Sequence, residues 1–223
     1  MDAATTHAEV AASLTETDPT LPAVTAHTNP VVTDFAALVA APERYGCVYA
    51  DPPWQYGNQG TRASTDDHYG TMPLESICAL PVESIVRPDA HIHLWTTNAF
   101  LFDAKRVMEA WGFAYKSCFV WVKPQMGMGN YWRVSHEFLL LGVRGSAPFL
   151  LRDEMSWAIL PRGRHSSKPD KIRSTIERVS PGPRIELFAR ECFHGWSAWG
   201  NQTTRNLFTA KPKPRKDMPC EPK

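Results

Sequence analysis

The chain has 223 residues, 43% of them hydrophobic and 21% charged, with a formal net charge of +1. That suffices for one ordinary globular domain with a sizeable core and leaves little for a second. No stretch reaches the roughly 18 uninterrupted apolar residues of a membrane span, and the near-neutral charge gives no global pull toward nucleic acid or membrane.

Five cysteines, Cys47, Cys78, Cys118, Cys192 and Cys220, lie far apart without a C-x-x-C pair. The odd, dispersed set argues against a disulfide framework and against a zinc site, so no metal is expected. The first Lys or Arg is Arg44, and no positive leader precedes an apolar segment. A cytoplasmic, reduced protein is the expectation.

In chain order, residues 1–34 are rich in Thr and Ala, carry Pro19, Pro22 and Pro30, and show no sustained period. They read as a flexible arm. Cys47–Ala50 is a short apolar run that suits a buried strand, and His91–Thr96 is another. Asn98 is placed to cap a helix whose Leu101, Ala104, Met108 and Trp111 share a face, with Gly112 as the stop. Phe119–Val122 and Phe138–Val143 are β-rich, and Trp121 and Trp157 read as core residues. Ser167 is placed to cap a second helix with Pro169 in its first turn and Ile172, Ile176 and Val179 as its buried stripe. Ser180-Pro181-Gly182 ends it, and Ile185–Phe188 returns as a strand. Strands separated by helices predict an α/β domain over 35–202, with a mostly parallel central sheet and helices on both faces. Residues 203–223 read as a flexible basic tail, for which a solvated tail without function is the plainer account.

Asp51-Pro52-Pro53-Trp54 directly follows the first apolar strand. Ligands of open α/β sheets bind beyond the carboxyl ends of strands, so the placement suits a site. A lone D-P-P would read as a turn; the tryptophan and the location favour chemistry. The exocyclic amine of adenine is a poor nucleophile because its lone pair is delocalised into the ring. A rigid carboxylate (Asp51) and a backbone carbonyl (Pro52) can each accept one of its N–H bonds and favour a pyramidal nitrogen. The prolines fix φ near about −65° and stiffen that pair of acceptors. Trp54 offers a face on which a base can stack, and in a duplex the base must first be flipped out.

D-P-P-W resembles the catalytic motif of S-adenosylmethionine-dependent amino-methyltransferases. More narrowly, the chain is similar to the family of the catalytic subunit of eukaryotic mRNA adenosine N(6)-methyltransferase, which has bacterial and phage members. The matching blocks run in order from Tyr45 to Gln202. They include Tyr69-Gly70-Thr71-Met72, Leu94-Trp95-Thr96, Trp111-Gly112-Phe113, Trp121-Val122-Lys123 and His136-Glu137. They continue with Ser167-Lys168-Pro169-Asp170, Ile176-Glu177-Arg178, Ser180-Pro181-Gly182, Ile185–Arg190, Trp196 and Gly200-Asn201-Gln202.

The resemblance implies a Rossmann-like methyltransferase domain and S-adenosyl-L-methionine as cofactor. It assigns catalysis to Asp51, Pro52, Pro53 and Trp54, and substrate contacts to Tyr69, Glu137 and Lys168. Cofactor contacts fall on Asp51, Lys168, Glu186, Arg190, Asn201 and Gln202. Plainer accounts stand beside these: an ion pair steadying a loop for Glu186 and Arg190, a turn for Asn201-Gln202, core packing for Tyr69. Glu191–Gly195 is shorter than the family's loop, and the family's cofactor-contacting aspartate before the first strand has only Asp34 as a candidate.

Arg162, Arg164, Lys168, Lys171 and Arg173 crowd one stretch and, with the tail, form the expected phosphate-binding surface, a solvated loop being the alternative. The compact chain resembles bacterial or phage members, so the implied reaction is methylation of adenine N(6) in DNA. RNA, or a non-catalytic nucleic-acid-binding subunit, is the alternative. A homodimer or companion subunit is compatible with the sequence, a membrane partner is not expected.

Overall fold

A computed structural model of the chain describes residues 31–32, 34–55, 70–127, 129, 131–163 and 167–200. Eight strands form one sheet: β1 (Val31–Val32), β2 (Tyr45–Ala50), β3 (Val86–Thr96), β4 (Ala114–Val122), β5 (His136–Arg144), β6 (Trp157–Ile159), β7 (Arg184–Leu187) and β8 (Trp196–Trp199). Their spatial order is β1-β8-β7-β2-β3-β5-β4-β6. β5 runs antiparallel to both of its neighbours, and every other pairing is parallel. The sheet is therefore mostly parallel, and β2 lies near its middle with β7 on one side and β3 on the other. The direction of chain progress across the sheet reverses there, which opens a crevice at the carboxyl ends of these strands.

Helices cover both faces, as the alternation of elements predicts. On one side α1 (Phe35–Ala40), α2 (Leu74–Cys78) and α3 (Leu101–Ala110) pack Phe35, Leu38, Ile77, Ala104, Val107 and Met108 against Val48, Ile92, Leu94 and Leu140. On the other, α4 (Asp170–Val179) sets Ile172 and Ile176 against Cys47, Tyr49, Trp95, Trp121 and Leu139. The α4 stripe is the one its sequence spacing predicts. β2 is buried at every residue, which is why its run is apolar without alternation. Gly142 in β5 is required by packing: a β-carbon there would lie 2.6 Å from Met108 Sδ and 2.7 Å from Ile92 Cγ2.

Several details depart from expectation. Asn98 does not cap α3. It opens a 3-10 turn (Asn98–Phe100), and Phe100 precedes the first helical residue. Ser167 does not cap α4 either: Pro169 holds that position without a side-chain bond, its missing N–H removing one of the orphan donors. Val31–Val32, read as part of the arm, pair with Ala198 and Trp199 as the edge strand. Trp121 is core as expected, but Trp157 is 50% exposed, because β6 is the outermost strand of the other edge. Residues 1–30 and the basic tail lie outside the described residues.

Below the crevice, β3 buries two histidines that share one serine. Ser180 Oγ lies 2.9 Å from His91 Nδ1 and 2.8 Å from His93 Nε2, while His91 Nε2 is 3.2 Å from the Ala147 carbonyl. A carbonyl only accepts, so His91 carries its proton on Nε2 and leaves Nδ1 bare. Ser180 must then donate to His91 and accept from His93 Nε2–H. Both rings are neutral, and burial pushes the His93 imidazole down to about 3 and that of His91 below its ordinary value. The folded state thus binds fewer protons than the unfolded chain as pH falls below about 6.5. The His93 contribution is full above that value and declines toward about pH 3, by up to about 1.4 kcal/mol per unit, and His91 acts in the same direction. Urea melts of the wild type and His93→Gln across this window are expected to show the smaller slope in the variant. Equal slopes would show that His93 is not held neutral.

Candidate active site

Asp51 is the first residue beyond β2, and the two prolines after it force the chain off the sheet. Pro52 and Pro53 have no N–H to extend a ladder. The Pro52 carbonyl accepts the Trp54 amide at 2.9 Å, and the Pro53 carbonyl accepts that of Met72 at the same distance. The motif is thereby folded onto the segment that leads into α2. Pro52 O retains a second lone pair for a ligand.

Trp54 is itself held by the protein. Its Nε1 donates to the Trp95 carbonyl at 3.2 Å, and its ring stacks on Phe100 at 5.5 Å between centroids and 15° between planes. One face of the indole is therefore taken by the protein itself. Trp54 anchors the turn against the α3 side of the core, and a base can use only its other face.

The carboxylate of Asp51 heads a row of alternating charges. Lys168 Nζ lies 2.8 Å from Asp51 Oδ2 and 3.2 Å from Glu137 Oε2, and Lys123 pairs with the other oxygen of Glu137. The Lys168 ammonium also sits 5.2 Å above the Trp95 ring, and that of Lys123 4.6 Å above Trp121. The topology brings these together. β4 is parallel to β2, so its end delivers Lys123 to the same edge of the sheet. β5 is reversed, so its beginning supplies Glu137. Lys168 enters from the segment before α4.

All four side chains are at least three-quarters buried, which sharpens their mutual influence. Burial pushes Glu137 up, but Lys168 and Lys123 outweigh it and hold the carboxyl below its ordinary value. Burial would likewise discharge Lys168, yet Asp51 and Glu137 raise it above its usual value. The bridge is an ammonium between carboxylates. Lys123 belongs to the Trp-Val-Lys block, to which the resemblance attaches no role; a lysine placed directly after a β-rich run is the one signal of it in the sequence.

A second ionic pair stands beside it. Glu186 in β7 bonds Arg173 of α4. The Arg173 guanidinium is packed 3.6 Å from the Phe193 ring centroid, with Tyr49 and Trp196 at 5.1 and 5.3 Å. Burial raises the Glu186 carboxyl, although Arg173 opposes this. Arg190 follows β7 as an exposed residue. Asp34 caps α1, accepting from the Ala36 amide at 2.9 Å; it follows β1, which lies three strands from β2 and runs parallel to it. Tyr69, Asn201 and Gln202 lie outside the described residues.

The phosphate-binding stretch is corrected in part. Lys168 and Arg173 are turned inward onto carboxylates, and only Arg162 and Lys171 of its described members are exposed. Arg164 lies outside the described residues. A linear cluster of basic residues conceals two separate buried ion pairs, which charge counting cannot distinguish from a solvated face.

A doubly covered, mostly parallel sheet with a D-P-P-W turn at its central strand and carboxylates gathered at the same edge defines a Rossmann-like methyltransferase. Residues 45–202 match the MT-A70 model, and the chain belongs to the MT-A70 family. It is 33% identical over 186 residues to the type II methyltransferase M.MunI of a Mycoplasma species, covering 74% of this chain and 80% of that one. It is 32% identical over 170 residues to an N(6)-adenosine-methyltransferase MT-A70-like protein of Arabidopsis thaliana, and 29% identical over 172 residues to the human N(6)-adenosine-methyltransferase catalytic subunit METTL3. Each of these two alignments covers 71% of this chain, but only 24% and 28% of the respective relatives. The chain therefore spans about a quarter of the length of those two proteins.

Proposed function

We propose that the chain, an adenine N(6)-methyltransferase by family, takes its methyl group from S-adenosylmethionine and its adenine from DNA, with Asp51 and the Pro52 carbonyl as acceptors for the amine. The observation that carries this reading is the Lys168 ammonium bridging Asp51 and Glu137 at the tip of β2. It holds the Asp51 carboxylate in place at the end of a stiff, proline-bound turn.

The residues at this edge fit the cofactor. A sulfonium nucleoside presents a positive charge and ribose hydroxyls, and the Asp51 and Glu186 carboxylates at adjacent strand tips are acceptors for both. Arg173 Nε is buried there without a hydrogen-bond partner among the described residues, and so retains a donor. When bound, S-adenosylmethionine supplies an electrophilic methyl group. Asp51, Glu186 and Lys168 would hold it, together with Asn201, Gln202 and Arg190 as the family resemblance assigns them.

The chain's own residues then act on the amine. Lys168 occupies one oxygen of Asp51, so an incoming N–H takes the other oxygen or displaces the ammonium toward Glu137. A second N–H bonds the free lone pair of Pro52 O. With both hydrogens fixed, the nitrogen lone pair is directed away from the turn. These dipoles are set before substrate arrives, which is where electrostatic catalysis gains most. Methylation makes the nitrogen acidic, and its proton passes to Asp51. Glu137 and Tyr69 are assigned to the base.

DNA is preferred over RNA because the match to the type II methyltransferase, at 33% identity, spans 80% of that relative, whereas the matches to the two N(6)-adenosine enzymes span 24% and 28% of theirs. The test is mass spectrometry of nucleosides after incubating DNA or RNA with isotopically labelled cofactor. Labelled N(6)-methyldeoxyadenosine is expected. Label confined to RNA adenosine would reassign the substrate, and labelled methylcytosine would overturn the reaction.

A further inference from the structure

The connection between β4 and β5 carries two aromatic side chains that the methyl-transfer chemistry does not use. Tyr131 is 95% exposed and Trp132 89%. Leaving two such rings in water forfeits several kcal/mol of burial, of order 1.5–3 kcal/mol for each large side chain, so their placement calls for a reason. They are held out by a built turn. The turn is closed at its root by Lys123 N donating to Ser135 O at 2.6 Å. A β-carbon on Gly127 would overlap the Val134 carbonyl, and one on Gly129 that of Trp132, so both limbs run closer than any other residue permits. Arg133 Nη1 donates to Gly129 O at 3.0 Å and folds the tip.

Its position and charge indicate what the tip meets. β4 ends and β5 begins at the edge of the sheet that bears Asp51, and Glu137, one residue inside β5, shares the Lys168 ammonium with Asp51. The turn thus projects from the rim of the active site. Residues 123–135 contain Lys123 and Arg133 and no acid. The exposed Arg162 lies against the turn, its Nη2 3.3 Å from where a Gly127 β-carbon would stand. Flat rings interleaved with guanidinium groups and free of carboxylates complement a phosphate strand whose bases are unstacked.

We propose that Tyr131 and Trp132 form a stacking platform for bases flanking the target adenine, with Arg133 and Arg162 on the adjoining phosphates. This rests on the reading of the chain as a nucleic-acid methyltransferase and adds the surface that grips the strand. The target base is drawn out of its stack more readily when its neighbours have rings to lie on.

The test uses the full chain and a twelve-nucleotide single strand bearing one adenine with 2-aminopurine beside it. Tyr131→Ala with Trp132→Ala is expected to weaken binding of that strand at least tenfold and to abolish the 2-aminopurine quench. Cofactor affinity by calorimetry should be unchanged, and Trp132→Phe should stay within about threefold of wild type. Unchanged affinity and quench in the double variant would overturn the proposal. So would a wild-type dimer that the double variant dissolves without loss of strand binding, which would assign the rings to a second copy of the chain. Because binding is read apart from turnover, a wild type that grips the strand yet methylates no adenine would refute the functional reading and leave this one standing.

Discussion

Asp51→Asn is expected to lower kcat by about 10²–10³-fold with little change in thermal midpoint, measured by labelled-nucleoside mass spectrometry and calorimetric melting. The substitution preserves shape and removes charge. If its carbonyl oxygen turns to the substrate amine, its NH₂ faces the Lys168 ammonium, donor against donor. If it turns the other way, the NH₂ faces the amine. Neither orientation satisfies both Lys168, 2.8 Å from the carboxylate, and the incoming N–H proposed for its other oxygen. Wild-type turnover in this variant would remove Asp51 from the chemistry.

Lys168→Met should have the second-largest effect, and its signature lies in pH rather than in rate alone. Without the ammonium, Asp51 and Glu137 face each other across the space it occupied. Their mutual repulsion raises at least one carboxyl. In the wild type Glu137 is held below its ordinary value, so activity that needs ionised carboxylates persists well into acid. In the variant the acid limb of kcat/KM moves to higher pH, and turnover at neutrality falls about 10²-fold. The folded state should lose about 1–3 kcal/mol at pH 8, less than for a fully buried pair because these groups keep some solvent. The sign follows from linkage: a carboxyl raised in the fold above its unfolded value gives stability back as pH falls through it. An unshifted acid limb would show that Lys168 neither holds nor neutralises Asp51.

Local features of this domain are legible in the sequence, and long-range pairings are not. The runs around Cys47–Ala50, His91–Thr96 and Phe138–Val143 announce strands because buried parallel and mixed sheets need continuous apolar residues. Helices α3 and α4 appear through stripes of period 3.6. By contrast β1, β6 and β8 have two to four residues and are stabilised by their neighbours in the sheet, so no local period marks them. Asp51-Pro52-Pro53-Trp54 is readable as chemistry because its rigidity is written in consecutive residues. Its ionic partner is not: Lys168 lies 117 positions away and meets Asp51 only through the pairing of β2 with its neighbours. The same holds for Arg173, which looks like surface charge until Glu186, Tyr49 and Phe193 close around it.

The reversal of β5 has a wider bearing. A strictly parallel arrangement would give the rim only strand exits, each leading into a helix that must cross back over the sheet. Running one strand backwards gives the rim an entrance as well, joined to the preceding exit by a hairpin that has no helix to position. Such a junction can grow, shrink or change composition over evolutionary time without disturbing the register beneath it. The fold thereby gives the rim an adjustable junction above strand ends that stay put.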